Sequence, residues 1–280
     1  MTTTLRPEGP ETPTADGGRT RRWRILANGR PVGALRTTAV PRSGQLWGRI
    51  SELEVTEGRG RGRGTFGGLA AEEVLRNWGC TRVDVDVPES APAARGLALT
   101  LGYTERARNM SKRLTVAPAL PRGVVARPIG AEEFPAWLGQ AERNHLRSLL
   151  DSGLSEQQAR DKSRLEHQDL FPQGAESPGV VLRRLYADGE PEPLGSLWLD
   201  LHLRDLPDGE ALAWVMTVEV AAAHRGRGHG RALMLIAERE CLAAGVRNLG
   251  LNVFAHNAVA VRLYASLGYQ TTNRLYGKHL

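Results

Sequence analysis

The stretch Arg225-Gly226-Arg227-Gly228-His229-Gly230 joins an apolar segment, Ala213–Val220, to a segment with helical spacing. Leu233, Ile236, Ala237 and Cys241 recur at spacings of three and four, which predicts a helix over about 230–243. Glycines let the backbone turn tightly and expose its N–H groups, and the first turn of a helix adds unpaired N–H groups and a positive dipole end. The stretch therefore predicts a strand–loop–helix unit that cradles an anion such as a pyrophosphate, with added charge from Arg225 and Arg231.

A second copy of this pattern lies 166 residues earlier, where Arg59-Gly60-Arg61-Gly62 matches Arg225-Gly226-Arg227-Gly228. The match continues without a gap to Leu101-Gly102-Tyr103, which falls on Leu267-Gly268-Tyr269, and on to the end of the chain. Chance matches between Gly and Arg residues would not keep one register over this distance. The sequence therefore indicates a tandem duplication.

Both copies predict the same elements after the opening segment. These are a strand (Ile50–Val55; Ala213–Val220), the loop, a helix (Thr65–Asn77; Gly230–Ala243), a strand (Arg82–Val87; Asn248–Val253), a helix (Pro92–Thr100; Ala258–Ser266) and a last strand. This order of elements predicts an α/β fold whose sheet is mixed, as in α+β proteins. The fold is expected to contain two similar domains.

The copies differ upstream. The second copy predicts a strand (Val124–Ile129) and then an amphipathic helix from Phe134 to Leu149, which Gly153 ends. A further helix starts at a Ser155/Gln158 capping box and runs to about His167, and a hairpin follows (Val180–Tyr186; Leu194–Leu203). The first predicts only a hairpin, Trp23–Ala27 with Pro31–Thr38, around Asn28-Gly29. It is therefore expected to be abbreviated, without the opening strand and both early helices.

Composition sets the remaining limits. Residues 1–20 are rich in Thr, Pro and Gly, so they are expected to form a disordered tail and not a signal peptide. The expected domains are then 21–115 and 124–280, with a linker at 116–123. No apolar run approaches the roughly 18 residues of a membrane span, which argues against a membrane partner. The two cysteines form no C-x-x-C motif, so we expect neither a zinc site nor another metal site. We also expect the protein to be cytoplasmic.

Residues 213–280 resemble the GNAT (GCN5-related N-acetyltransferase) superfamily. Its loop signature, Arg/Gln-x-x-Gly-x-Gly/Ala, is matched by Arg225, Gly228 and Gly230. Its second signature, Asn-x-x-Ala-x-x-Leu-Tyr followed by Leu-Gly-Tyr/Phe, is matched by Asn257, Ala260, Leu263, Tyr264 and Leu267-Gly268-Tyr269. The resemblance covers 124–280 as a whole domain and about 23–114 as a partial one, and it implies two GNAT-like domains.

The resemblance implies transfer of an acetyl group from the co-substrate acetyl-CoA to a primary amine. The residues it implies for holding acetyl-CoA are Arg225, Gly226, Arg227, Gly228, His229, Gly230, Arg231, Asn257 and the backbone of Val218 and Val220. Tyr264 matches the tyrosine that protonates the CoA thiolate in many relatives. The base stays open, because Asn252 stands where many relatives have a glutamate; Glu219, at either a cleft or a solvent edge, is the best substitute.

In the first copy Ala98 stands at the position of Tyr264 and Ala91 at that of Asn257, so this half is predicted to be inactive. It could still hold CoA loosely or only pack against the active half. A rival interpretation takes Gly62-x-Gly64-x-x-Gly67 as a dinucleotide fingerprint with Asp84 or Asp86, but the gapless match to the second loop argues against it.

Three functions compete. The first is acetylation of a small-molecule amine, for which Trp137, His145, Trp198 and Asp200 are candidate lining residues. The second is protein acetylation. The third is a non-catalytic CoA- or nucleic-acid-binding module that uses Arg19–Arg24 and Arg59–Arg63, since the net charge is +6. Aromatic residues make up only 5%, which argues against nucleic acid as a partner; a homodimer is compatible with the sequence.

Overall fold

A computed structural model of the chain describes residues 2–42, 44–151, 156, 157, 159, 160, 170–206 and 208–280. In chain order, the main elements are β1 (Thr3–Pro7), β2 (Thr12–Pro13), β3 (Arg19–Ala27), β4 (Arg30–Arg42), β5 (Gln45–Val55), α1 (Arg63–Asn77), β6 (Cys80–Pro88), α2 (Pro92–Thr100), β7 (Thr104–Arg113), β8 (Val124–Pro128), α3 (Phe134–Asp151), β9 (Val180–Ala187), β10 (Pro193–Asp205), β11 (Ala211–Val220), α4 (His229–Ala243), β12 (Asn248–Phe254), α5 (Ala258–Ser266) and β13 (Gln270–His279). Two compact units result. Unit 1 comprises residues 1–108, 254–256 and 272–280, and unit 2 comprises 109–253 and 257–271.

Unit 1 is built on a mixed sheet with the strand order β1-β3-β4-β5-β6-β13. Neighbouring strands are antiparallel except for β5 and β6, which α1 connects as a parallel pair. Its core is apolar and fully buried at Ile25, Leu35, Leu75 and Val83.

Unit 2 repeats this plan with the order β8-β9-β10-β11-β12, and β7 lies beside β12. Again one pair, β11 with β12, is parallel, and α4 connects its strands. One face of the sheet packs against α4 through Leu185, Leu197, Leu233 and Leu249, all fully buried. The other face carries an aromatic cluster that α3 covers, formed by Phe134, Trp137, Phe171 and Trp198. Two layers of helices therefore sandwich the strands that end at the Gly-rich loop.

Each unit includes part of the last strand of the other sequence repeat: residues 109–113 of β7 belong to unit 2, and residues 272–279 of β13 belong to unit 1. In unit 2, Met110 and Leu114 belong to the buried core, and Lys112 donates to both carboxylate oxygens of Glu238 at 2.8 Å. In unit 1, the corresponding Lys278 donates to Glu72 at 2.7 Å. Both glutamates lie on the helix after a Gly-rich loop, and their side chains are only 3% and 4% exposed. The two halves therefore complete their sheets reciprocally.

Two predictions about the start of the chain are wrong. Residues 3–7 are not part of a disordered tail, because β1 pairs with β3 from Thr3 opposite Ala27 to Pro7 opposite Trp23. The first half also has its opening strand, since β1 occupies the edge position that β8 holds in unit 2. Only Leu5 of this strand packs against the core. An edge strand held mainly by backbone hydrogen bonds has little apolar pattern, which is why the sequence did not reveal it.

Apart from the helix predicted from Ser155, the other predicted elements are confirmed, and the majority of their ends agree within two residues. The mixed α/β architecture is also confirmed. No helix is present in residues 8–62, all described except Ser43, so the first half does lack the early helices. The predicted helix from Ser155 to His167 lies largely outside the described residues. The predicted domain boundaries at 115 and 124 do not coincide with those of the spatial units, because residues 109–115 belong to unit 2 and residues 272–280 to unit 1. A repeat pattern does not specify which sheet the last strand joins.

Candidate active site

The loop after β11 forms an open anion cradle at the start of α4. Gly226 and Gly228 have φ values of 78° and 86°, a left-handed conformation that favours glycine, and nothing lies within 4 Å of where a side chain would begin. Gly228 is the N-cap of α4 and makes no side-chain cap hydrogen bond, and the first turn holds no acidic residue. The N–H groups of the first turn are therefore directed at an exposed position flanked by Arg225, Arg227 and Arg231, which suits a phosphate group.

Gly230 marks the point where three elements meet. A side chain there would lie 3.3 Å from Leu263 of α5 and 3.8 Å from Val220 of β11. Arg231 donates to the Ser266 hydroxyl at 2.5 Å, which ties the start of α4 to the end of α5. The cradle, the end of β11 and α5 therefore form one site in unit 2.

The strands beneath the cradle diverge. β12 pairs with β11 only from Leu212 opposite Asn248 to Val215 opposite Leu251. Beyond Val215, the edge of Met216–Val220 that faces β12 has no strand partner among the described residues. β11 also contains a bulge between Val215 and Thr217, where its register with β10 shifts. The opening exposes backbone groups around Val218 that suit an extended amide-containing ligand arm.

Two polar residues belong to α5, the helix that approaches the end of β11 at Gly230, and to its N-cap. Asn257 is the N-cap, and its Oδ1 accepts a hydrogen bond from the Ala260 N–H at 3.1 Å, so its amide N–H₂ remains as a donor. Tyr264 is half-buried, and its ring lies 6.2 Å from that of Tyr269 at an edge-on angle of 62°. Burial raises the pKa of the Tyr264 hydroxyl above its ordinary value of 10.0. Tyr264 therefore stays protonated at neutral pH and can serve as a proton donor.

Glu219 lies at a cavity of about 270 Å³ between α3 and strands β10 and β11. Asn144 of α3 donates to both of its carboxylate oxygens, at 2.8 and 2.9 Å. Of the two environments that the sequence left open for Glu219, a cleft or a solvent edge, the structure shows the cleft. A carboxylate held at a cavity wall can accept a proton from an amine in that cavity.

The four candidate lining residues have different positions. Trp137 lines the cavity and also belongs to the aromatic cluster. Trp198 is 6% exposed and packs edge-on against Trp137 at 5.9 Å. Asp200 lies further along β10, where it accepts a hydrogen bond from the His202 N–H at 2.9 Å. The side chain of His145 lies outside the described part of the structure.

Sequence reasoning missed Asn144 and Gly195. Asn144 gave no signal, because a polar residue on an amphipathic helix is usually a surface residue. The role of Gly195 follows only from the structure, where a side chain there would lie 2.2 Å from the Glu219 carbonyl oxygen, the same distance that a side chain at Gly33 would have from the Glu54 carbonyl oxygen in unit 1. The repeated glycine lets β10 approach the backbone of β11 next to Glu219.

The first loop has the same backbone but different contents. Gly60 and Gly62 have φ values of 78° and 75°, and a side chain at Gly64 would lie 3.3 Å from Leu97 and 3.8 Å from Val55, as one at Gly230 would lie from Leu263 and Val220. However, Arg63 replaces His229, donates to the Glu57 carbonyl at 2.6 Å and lies across Gly58. The cavity next to α2 contains Ala91 and Ala98 where unit 2 has Asn257 and Tyr264. Unit 1 therefore keeps the loop and lacks the hydroxyl and amide groups.

Among the residues described, no group of three or more His, Cys, Asp and Glu side chains is arranged to hold a metal ion. No helix in the same part of the chain is both long and apolar enough to cross a membrane.

Comparison with known proteins agrees with this geometry. The model of the acetyltransferase (GNAT) family matches residues 144–269, which include Asn144, Glu219, the loop Arg225–Gly230, Asn257 and Tyr264. The uncharacterized N-acetyltransferase YdgE of Bacillus subtilis is 31% identical over 153 residues, which are 53% of this chain and 93% of that protein. A mycothiol acetyltransferase of Nocardioides sp. is 28% identical over 225 residues, which are 76% of this chain and 73% of that protein.

Solved structures share the fold over nearly the whole chain. A GCN5-related N-acetyltransferase from Sphaerobacter thermophilus superposes with a TM-score of 0.58 at 20% identity, covering 92% of this chain and 80% of that one. A tandem GNAT protein from the clavulanic acid biosynthesis pathway gives a TM-score of 0.50 at 17% identity, covering 99% and 98%. At these identities the likeness concerns the fold alone.

Proposed function

Because the chain belongs to the GNAT family of acetyltransferases, we propose that it transfers the acetyl group of acetyl-CoA to the primary amine of a small molecule. The observation that carries the proposal is the meeting of the anion cradle, the opening beside β11 and α5 at Gly230. A small-molecule acceptor is supported by the cavity of about 270 Å³ at Glu219, which is slightly smaller than ligand pockets of roughly 300–1,000 Å³. The similarity to mycothiol acetyltransferases gives further support.

Acetyl-CoA would supply an activated thioester when bound. The pyrophosphate would lie on the N–H groups at the start of α4, with Arg225, Arg227 and Arg231 around it. The backbone of Val218 and Val220 and the free amide N–H₂ of Asn257 would hydrogen-bond its arm. These contacts fix the cofactor in the opening between β11 and β12.

Two side chains would handle protons. Glu219 accepts the proton of the acceptor ammonium group and thereby makes the nitrogen a nucleophile, while Asn144 holds the carboxylate in place. As the new C–N bond forms and the C–S bond of the thioester breaks, Tyr264, kept protonated by burial, donates its proton to the departing sulfur, and the second proton that the nitrogen loses restores the Tyr264 hydroxyl through solvent. Unit 1 has Ala98 and Ala91 at the matching positions, so we assign it no catalytic role. We place the reaction in the cytoplasm, which the two free, buried cysteines, Cys80 and Cys241, support.

A screen of amines tests this proposal. The protein is incubated with acetyl-CoA and a panel of polyamines, amino sugars, amino acids and short peptides, and free CoA thiol is measured. We expect acetylation of at least one small amine, and loss of that activity in Glu219→Gln. Arg239→Gln, on an exposed face of α4, is the control. Acetylation of peptides alone would overturn the small-molecule assignment, and no CoA release with any amine would overturn the proposed reaction.

A further inference from the structure

A row of three polar side chains crosses the sheet of unit 2 at the cavity of Glu219. Arg184 of β9 stands directly opposite Ser196 of β10, and Ser196 stands opposite Glu219 of β11. Residues directly opposite one another on paired strands point to the same face. Since neighbouring strands lie about 4.8 Å apart, the Cα atoms of Arg184 and Glu219 are roughly 10 Å apart. All three residues line the cavity of about 270 Å³.

Arg184 is poorly satisfied by the protein itself. Its side chain is 21% exposed, and among the described residues the carboxylate of Glu133 lies 4.0 Å from Nε and is 45% exposed. The buried Nε has no hydrogen-bond partner among the described residues. A buried guanidinium nitrogen without an acceptor is costly, so its position calls for an acceptor from elsewhere.

The neighbouring Arg183 differs from Arg184 because a carboxylate accepts its hydrogen bonds. Arg183, on the opposite face of β9, donates through Nε and Nη2 to Glu240 of α4 at 2.6 and 2.8 Å. Arg183 therefore serves the packing of α4 on the sheet. Among the described residues, Arg184 has only the more distant Glu133 as a carboxylate partner, and it contributes to the cavity wall.

The cavity thus has two charged walls. Glu219, held by Asn144, forms the negative one, and Arg184 forms the positive one. Ser196 offers a hydroxyl between them, and Trp137 and Ala141 of α3 supply apolar surface. A ligand that fills this space gains most when it carries both a cation and an anion.

We propose that the acceptor is a small aminocarboxylate, whose carboxylate binds the Arg184 guanidinium while its amine lies at Glu219. This rests on the proposed function, in which Glu219 receives the proton of the amine. A guanidinium matches a carboxylate with two parallel hydrogen bonds, which gives direction as well as affinity. Arg184 is then a specificity-determining residue that acts on substrate binding and does not take part in the proton transfers.

Matched pairs of amines test this proposal. Glycine, β-alanine and γ-aminobutyrate are each compared with their carboxamides, and each KM is corrected for the fraction of that compound that is free amine at the assay pH. Wild type is expected to prefer at least one aminocarboxylate. Arg184→Gln should raise its KM roughly 10- to 100-fold, the loss expected for a charge-assisted contact, with little change in kcat or in the KM of the carboxamide. Arg184→Lys should recover part of the loss, and Arg239→Gln should change nothing.

Binding of the same aminocarboxylates is also measured by calorimetric titration in the presence of CoA. This measurement tests acceptor binding separately from the acetyl-transfer reaction. Binding to wild type that is lost in Arg184→Gln supports the inference whether or not acetyl transfer occurs. Two results would overturn it: equal use and equal binding of aminocarboxylates and carboxamides, or an Arg184→Gln variant that weakens both members of a pair alike. Turnover of amines without this preference would leave the acetyltransferase proposal standing and remove only the acidic acceptor.

Discussion

At the scale of single residues, the environment of Tyr264 suits the role of proton donor that we propose for it. Burial raises its pKa above 10.0, so the hydroxyl keeps its proton below that pH and loses it only at still higher pH. Replacing the hydroxyl removes the donor without removing the ring that packs in the core. The role thus depends on one oxygen atom.

We therefore expect Tyr264→Phe to lower kcat by roughly 10²- to 10⁴-fold, the range for general acid catalysis, with the KM for acetyl-CoA nearly unchanged. Below about pH 10, the kcat of wild type should not fall with rising pH any more than the kcat of Tyr264→Phe does. Steady-state rates from pH 6 to 10 check both points. Unchanged turnover in Tyr264→Phe would remove the residue from the mechanism.

At the scale of elements, each last strand holds a lysine that neutralises a buried glutamate of the other sequence repeat. Lys112 pairs with Glu238 and Lys278 with Glu72, so the same device stabilises α4 and α1. Removing one lysine leaves a carboxylate that is about 97% buried without its cation. Such a loss costs more than that of a surface ion pair.

Lys112→Met should lower the free energy of unfolding by about 2–4 kcal/mol, somewhat below the full cost of a broken buried pair because Lys112 is partly exposed. Adding Glu238→Leu to the same chain should restore most of the loss. Urea unfolding followed by circular dichroism measures both. If the single and double variants are equally stable, the ion pair is not what stabilises this contact.

The elements also show what could be predicted from the sequence. The strand–loop–helix units and both helices after them followed from apolar spacing and from the repeat, because these signals are local. The edge strand β1 and the reciprocal last strands did not follow, because pairing partners depend on the assembled sheet. In the candidate site, the loop and Asn257 were predicted from motifs and Glu219 from its strand position, and their roles stay predictions. Arg184 and Asn144 become neighbours of Glu219 only through strand register and the packing of α3.

At the scale of the whole molecule, the reciprocal strands predict that the second half cannot stand alone. A fragment of residues 116–280 lacks Met110 and Leu114, which are 3% and 2% exposed in the core of unit 2. Exposing that core should cost about 1.5–3 kcal/mol per side chain, in addition to the lost strand pairing. The fragment should therefore aggregate or unfold.

A fragment of residues 104–280, which keeps β7, should be more soluble and more resistant to proteolysis than residues 116–280. Soluble yield and limited proteolysis of the two fragments, with the intact chain as reference, check this. Equal stability of the two fragments would contradict a structural need for β7 in unit 2.

The central claim is that acetyl-CoA is used at the second loop and not at the first, and matched charge reversals test it most directly. The loops offer equivalent pairs, since Arg59 donates to the Val55 carbonyl at 2.9 Å and Arg225 to the Val220 carbonyl at 3.3 Å. The measurement is the KM for acetyl-CoA in two double variants, Arg225→Glu with Arg227→Glu and Arg59→Glu with Arg61→Glu. The first should show a rise of roughly 10- to 100-fold and the second a change within about twofold. An equal or larger rise on reversing the first loop would contradict the account.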